Sequence, residues 1–223
     1  VTAGYAREMV TAFVKLNGLT VGAVANRTEI LDENGEAAES FNDKLTTEGL
    51  QKAADFIRFC DAFSIPVLSL VSATGFDTTV ANEKGAAREA ARLIHTFADA
   101  TAPKVTLLTG EAYGSAYLTM NSGHIGADLV YAWPNAAVGM MPAENAVKII
   151  YNDEINASDD AQGLIAEKAA AYAALQTSPE SAAGRGYVDA VIEPESTRQH
   201  LIAAFEMLYS KRAVRPSKKH STL

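Results

Sequence analysis

The 223-residue sequence is poor in cysteine and lacks long apolar runs, and each shortage excludes a class of protein. Cys60 is the single cysteine, so neither an internal disulfide nor a Cys-rich zinc site can form within the chain. No apolar run approaches the roughly 18 residues that a membrane-spanning helix needs, and no signal-peptide pattern is present. These absences predict a protein without a membrane span, and the lone thiol fits a cytoplasmic location.

Positive charge is also scarce, since 19 Lys and Arg stand against 27 Asp and Glu and give a formal net charge of −8. This balance disfavours binding to nucleic acid or to an anionic membrane surface. It leaves phosphate-bearing ligands open, because a few local amides or lysines suffice to hold them. A chain of this length can bury about 70% of its unfolded surface in one core. We therefore predict a single domain over residues 1–223.

Apolar runs alternate with amphipathic segments through most of the chain, which is typical of an α/β fold. Residues 65–71 (IPVLSLV) and 104–109 (KVTLLT) have the continuous apolar character of strands that are buried on both faces. Residues 83–99 follow helical spacing between them. The alternation predicts a mostly parallel sheet flanked by helices.

Three segments fall outside this alternation. Residues 6–14 are predicted to form a short helix that ends at Asn17-Gly18. Residues 27–43 carry six acidic side chains against one Arg, which indicates an exposed acidic insertion. Residues 211–223 form a basic tail without a regular pattern.

Two predicted strand-to-helix junctions are built from small residues: residues 71–76 (VSATGF) and residues 111–117 (EAYGSAY). In a parallel sheet both lie at the carboxyl ends of strands, where open α/β sheets bind ligands. At the second junction, the amides of Ser115 and Ala116 are predicted to open a helix. Such amides carry partial positive charge and can hold an anion or an enolate-like oxygen. The spacing alone leaves open that residues 114–116 only pack a helix tightly against the sheet.

Other residue patterns indicate neither a metal site nor a nucleotide site. The sequence has no GxGxxG at a strand-to-helix turn, no Walker motif, no HExxH and no GxSxG. Ser115 therefore lacks the usual context of a nucleophilic serine. His124 is predicted to fix a turn, and Cys60 is predicted to belong to the core.

Eight short segments share their order and spacing with one known family. Residues 56–66 (FIRFCDAFSIP), Gly75-Phe76, residues 102–106 (APKVT) and residues 112–117 (AYGSAY) match its "FxRFCDAFxIP", "PGF", "VPKIT" and "AYGGAY" segments. Further matches are GAD at 126–128, AWP at 132–134, GRGYVD at 184–189 and KKH at 218–220. Together they resemble the β-type carboxyltransferase subunits of biotin-dependent acyl-CoA carboxylases and decarboxylases.

The resemblance implies a crotonase-like fold, a ββα superhelix, and the biotin-side C-terminal half of a carboxyltransferase over residues 1–223. It implies that the backbone amides of Ser115 and Ala116 form an oxyanion hole for the biotin ureido oxygen. It further implies substrate-binding positions at the residues around the two junctions, which are Gly75, Phe76, Gly114 and Leu118. No metal is implied.

The resemblance also implies a cofactor and several partners. The cofactor is biotin, carried as carboxybiotin on a biotin carboxyl carrier protein and not attached to this chain. The other expected partners are an N-terminal carboxyltransferase half that binds acyl-CoA, the acyl-CoA itself, and further subunits of a homo- or hetero-oligomer.

Three positions depart from the family pattern. Ser115 replaces the second Gly of "GGA" and adds a side chain near the biotin approach, while Thr74 replaces the Pro of "PGF". Leu118 stands where propionyl-type members often carry an Asp near the acyl pocket. Three alternatives remain open: a biotin-dependent decarboxylase subunit of the glutaconyl-CoA or methylmalonyl-CoA type, a stand-alone crotonase-like acyl-CoA enzyme whose base would be Asp77 or Glu111, and a non-catalytic assembly half.

Overall fold

The structure is a computed structural model that describes residues 1–214, so the KKH segment at 218–220 and most of the basic tail lie outside the described residues. The strands are β1 (Met9–Leu16), β2 (Leu19–Asn26), β3 (Glu29–Leu31), β4 (Ala37–Ser40), β5 (Lys44–Leu45), β6 (Val67–Ala73), β7 (Gly75–Phe76), β8 (Lys104–Tyr113), β9 (Leu129–Ala132), β10 (Ala137–Gly139) and β11 (Ala190–Val191). The helices are α1 (Thr47–Ala62), α2 (Val80–Asp99), α3 (Gly114–Thr119), α4 (Ala143–Ile150), α5 (Asn152–Ala157), α6 (Ala161–Tyr172), α7 (Pro179–Gly184) and α8 (Thr197–Met207).

Within residues 1–214, seven strands form the central sheet in the order β1-β2-β6-β8-β9-β11, and β10 pairs with the carboxyl end of β8. Every pair is parallel except the β1-β2 hairpin. This arrangement confirms the predicted mostly parallel sheet. The strands predicted at 65–71 and 104–109 are β6 and β8, and β8 continues four residues further than expected.

The helix predicted over residues 6–14 is wrong, because this segment is the edge strand β1. The reason lies in Asn17-Gly18, which was interpreted as a helix end. Both residues have positive φ, +47° and +82°, and they join paired strands as a two-residue hairpin turn. An Asn-Gly turn of this kind matches the twist of two antiparallel strands, so it fixes β1 against β2.

The acidic insertion at 27–43 contains a small antiparallel hairpin, β3 with β4, whose side chains are mostly exposed. Asp32 fixes the turn of this hairpin, because its carboxylate accepts hydrogen bonds from the amides of Asn34 and Glu36. These contacts hold the pKa of Asp32 below its usual value.

The core has two parts, one on each face of the sheet. Adjacent residues of one strand point to opposite faces, so Val67 belongs to the first part and Leu68 to the second. Helices α1, α2, α3 and α7 cover the first face, and α8 covers the second with Leu201, Ala204 and Phe205. The layered arrangement leaves the carboxyl end of β8 free to carry a site.

Candidate functional site

The two small-residue junctions lie side by side at the carboxyl ends of β6 and β8. Ala73, the last residue of β6, pairs with Ala112 of β8. The third strand at this edge is β10, whose Gly139 pairs with Tyr113. Both junctions therefore lie at the carboxyl ends of parallel strands, as predicted, although residues 111–113 of the second junction belong to β8.

Helix α3 begins directly at the end of β8, and Gly114 makes this abrupt change of direction feasible. Gly114 has a φ of +54°, and a Cβ atom there would lie 3.0 Å from the backbone oxygen of Met140. A side chain at this position would be strained and crowded. In the first turn of the helix that follows, the amides of Ser115 and Ala116 have no partner within the helix.

A cavity of about 500 Å³ opens beside the first turn of α3. It lies between α3, the end of β10, the end of α6 and the segment after α7. Most of its lining is apolar or aromatic, and no Asp or Glu of the described residues lines it. The lining residues are Gly114, Ser115, Tyr117, Leu118, His124, Val138, Gly139, Met140, Tyr172, Gln176, Thr177, Ala182, Arg185 and Tyr187.

The cavity gathers only some of the residues predicted for the site. Gly114, Ser115 and Leu118 line it, and Ser115 is exposed. Ala116 lies behind Ser115 and is fully buried. Gly75 and Phe76 form β7, which contacts α3 but does not line the cavity, and Phe76 packs against the first part of the core.

Tyr117 is the most deeply buried ionisable residue of the cavity wall. Its residue surface is 4% exposed, and its hydroxyl has no hydrogen-bond partner among the described residues. Burial, with a smaller contribution from the carboxylate of Asp189, raises the pKa of Tyr117 to about 12. The hydroxyl is therefore neutral at physiological pH. The neighbouring rings of His124 and Tyr187 lie with their centroids 5.1 Å apart and their planes tilted by 38°.

The far wall of the cavity was not found by the sequence analysis. Helix α6 continues into a π-helical turn, Ala173–Thr177, a conformation that is frequent at functional sites. A Cβ at Gly139 would lie 2.9 Å from Thr177, so the end of β10 packs closely on this turn. Arg185 donates hydrogen bonds to the carbonyl oxygens of Leu175 and Gln176, both at 3.4 Å, and to the side-chain oxygen of Gln176. Within the sequence only the GRGYVD segment pointed towards this wall.

Comparison with known proteins decides the family. The carboxyl transferase domain matches residues 1–223, which is the whole chain. The chain belongs to the carboxyl transferase family. This carboxyl transferase chain is 42% identical over 221 residues to the methylmalonyl-CoA carboxyltransferase 12S subunit of Propionibacterium freudenreichii subsp. shermanii, covering 99% of the chain and 40% of that protein. It is 39% identical over 220 residues to the methylmalonyl-CoA decarboxylase subunit alpha of Propionigenium modestum, covering 98% and 41%.

The fold of the carboxyl transferase chain is shared with solved structures. A transcarboxylase 12S structure, described as a hexamer assembly with substrate bound, superposes with a TM-score of 0.88 at 42% identity and covers 98% of this chain and 40% of that one. The β subunit of a Pseudomonas aeruginosa geranyl-CoA carboxylase has the same fold, with a TM-score of 0.74 at 22% identity, and coverage of 99% and 40%. The crotonase-like fold and the family predicted from the motifs are thereby confirmed. The carboxyl transferase chain spans about two fifths of the length of these relatives.

Two properties of residues 1–214 bear on the site. In that range no group of three or more His, Cys, Asp or Glu side chains could hold a metal ion. None of the helices there is both long and apolar enough to cross a membrane. The described lining of the cavity offers aromatic rings and the guanidinium of Arg185 beside the first turn of α3.

Proposed function

We propose that this chain supplies the biotin-side part of an acyl-CoA carboxyltransferase and transfers a carboxyl group between carboxybiotin and an acyl-CoA. The observation that carries the proposal is the cavity at the carboxyl end of β8. Ser115, in the first turn of α3, lines this cavity. Its mostly apolar lining suits an uncharged bicyclic ring, and the amides of this turn suit a carbonyl oxygen that gains negative charge.

The residues of the cavity fit biotin in the following way. Carboxybiotin, held on a carrier protein, would supply the carboxyl group. The amide of Ser115 would donate to the ureido oxygen, with the amide of Ala116 behind it in the same turn. Gly114 keeps side-chain atoms out of the approach, and Leu118 and Val138 exclude water from the reacting groups. Fixed amides in a dry site stabilise developing charge without reorganisation.

The surface around the cavity carries exposed apolar side chains, which favours a second carboxyltransferase half packed against it. Met140 on the cavity wall is 78% exposed, and Leu175 on the π-helical turn is 67% exposed. Ile149 and Ile150 on α4 are also exposed. An exposed apolar side chain such as Met140 on the wall of a ligand cavity is typical of an interaction surface. We propose that an acyl-CoA-binding carboxyltransferase half covers them, within an oligomer that also receives the biotin carrier protein.

The decarboxylase is the second function, and the 39% identity to a methylmalonyl-CoA decarboxylase subunit favours it. It would use the same cavity in the reverse direction, with the carboxyl group leaving the acyl-CoA. A stand-alone crotonase-like enzyme has less support. Its expected bases, Asp77 and Glu111, do not line the cavity, and the Asp77 carboxylate accepts hydrogen bonds from Thr79 and Asn82.

Two substitutions at Ser115 test the oxyanion hole. Ser115→Pro removes the backbone N–H at a first-turn position where helices tolerate proline, whereas Ser115→Ala keeps the amide and removes only the hydroxyl. The assay is methylmalonyl-CoA decarboxylation stimulated by free biotin, measured on the full protein that contains this chain, together with its acyl-CoA-binding half. We expect Ser115→Ala to retain activity and Ser115→Pro to lower kcat by about 10²-fold or more.

Three results would contradict the proposal. The first is a wild-type protein without biotin-stimulated turnover, which would favour the assembly role. The second is loss of activity in Ser115→Ala with retention in Ser115→Pro, which would assign the chemistry to the hydroxyl. The third is equal activity in both variants. Thermal unfolding of each variant serves as the folding control.

A further inference from the structure

The guanidinium of Arg185 is oriented by its surroundings, but its charge is not neutralised. All three of its acceptors are neutral: the backbone oxygens of Leu175 and Gln176 and the side-chain oxygen of Gln176. Among residues 1–214 no carboxylate forms an ion pair with it, whereas Arg7 and Arg92 are paired with Glu39 and Asp55. These contacts hold the guanidinium in place, and its positive charge can still pair with an anionic ligand.

The cavity that Arg185 lines differs in charge from the rest of this acidic chain. The sequence has 27 acidic residues, yet the described lining of the cavity contains none of them and contains Arg185 together with His124. Among the described lining residues Arg185 carries the one full charge, and this charge is opposite in sign to the net charge of the chain. A cavity of this kind favours a ligand that carries negative charge next to an apolar body.

We propose that Arg185 binds the carboxylate of the substrate that occupies this cavity, an inference that rests on the proposed function. The guanidinium presents a planar set of donors that matches a carboxylate in a bidentate manner. The other lining groups, such as Leu118, Val138 and Met140, are neutral. One cation among neutral groups suits a monocarboxylate better than a phosphate, which carries more charge and needs more donors. Arg185 is thus a specificity residue for the carboxylated form of the substrate.

Two sources of the carboxylate are compatible with this chemistry: a carboxylated cyclic urea, as in carboxybiotin, and a malonyl-type thioester. Matched acid and amide probes distinguish them. The first pair is (2-oxoimidazolidin-1-yl)acetic acid and its amide, and the second is monomethyl malonate and its amide. Binding to the full protein that contains this chain is followed by NMR titration, with the His124 imidazole resonances as the reporter of the cavity.

The variants are Arg185→Gln and Arg185→Lys, with Arg198→Gln as the matched control. Arg198 is also an exposed arginine that donates to a backbone oxygen, that of Lys15, but it lies outside the cavity lining. We expect one of the two acids to bind at least about tenfold more tightly than its amide. Arg185→Gln should remove this preference and leave amide binding unchanged. Arg185→Lys should retain part of it, and Arg198→Gln should retain all of it.

Three outcomes would overturn the proposal. Acid and amide could bind the wild type equally. Arg185→Gln could weaken both members of a pair equally, which would mean that Arg185 only supports the π-helical turn. Inorganic phosphate could compete for Arg185 as tightly as the acid, which would make this a phosphate site. Because the readout is binding, these results are distinguishable from a failure of biotin-stimulated turnover, which would contradict the proposed function itself.

Discussion

The buried hydroxyl of Tyr117 allows a sharp test of the cavity wall through the substitution Tyr117→Phe. The side chain is almost completely buried, and its hydroxyl has no partner among the described residues. A buried polar group without a partner destabilises the folded state by about 1–3 kcal/mol. Removing the hydroxyl at pH 7 should therefore leave the free energy of unfolding unchanged or raise it by about 1 kcal/mol, since the ring keeps its packing.

The pH dependence provides the larger signal. Burial and Asp189 raise the pKa of Tyr117 from 10 to about 12 in the folded protein, which corresponds to about 3 kcal/mol. Below pH 10 the Tyr117 hydroxyl keeps its proton in both the folded and the unfolded state, so its pH-dependent contribution to the free energy of unfolding is fully present. Between pH 10 and 12 the unfolded state loses the proton first, and stability falls as the pH rises. Tyr117→Phe should lack this component of alkaline destabilisation.

The measurement is urea unfolding of the wild type and Tyr117→Phe from pH 7 to pH 12. Cys60, whose pKa burial raises to about 11, destabilises both proteins in the same pH range and cancels in the difference. Tyr209→Phe is the control, because Tyr209 is 74% exposed and its hydroxyl is not buried in the cavity wall. A loss of more than about 2 kcal/mol at pH 7, or parallel stability curves at high pH, would refute the reasoning.

Three further substitutions test how the site is supported, each by urea unfolding. Gly114→Ala should lower the free energy of unfolding by about 1–2 kcal/mol because of its positive φ, whereas Gly184→Ala, where a Cβ would meet no atom, should not; equal effects would contradict this. Asp61→Ala should lower it by about 2 kcal/mol, since the Asp61 carboxylate accepts two backbone N–H bonds from the segment before β8; no change would mean that water replaces the contact. Phe205→Ala should lower it by about 3–5 kcal/mol through the cavity left under α8, and a loss below 1 kcal/mol would contradict that packing.

The sequence predicted those parts of the fold that local patterns determine. The buried strands β6 and β8 have continuous apolar runs, and Thr46, a residue type favoured at helix N-caps, accepts a hydrogen bond from the amide of Gly49 at the start of α1. The extension of β8 to Tyr113 could not be recognised locally, because it depends on pairing with β10 about 25 residues later. Gly110 lies within this extended strand next to Ser72, and a Cβ there would come within 2.5 Å of the Ser72 hydroxyl oxygen.

Only one wall of the site could be predicted, because the other wall also depends on contacts between residues that are distant in sequence. The small residues around Ser115 mark one wall, because a close approach to the backbone requires them. Arg185 and Gln176 reach the cavity only through the packing of α6 and α7, and the π-helical turn has no sequence pattern of its own. Because Arg185 joins the cavity only when the chain is folded, no local sequence pattern indicates a carboxylate ligand.

The position of α8 has a consequence for synthesis on the ribosome. This helix covers a face of the sheet that includes residues of β1 and β2, and Glu206 accepts a hydrogen bond from Asn17, 189 residues earlier. Until Phe205 has emerged, the apolar residues of that face, Val21 and Leu68 among them, have no cover. This face of the sheet is therefore covered only after α8 has been synthesised, and contacts between residues so distant in sequence generally slow folding.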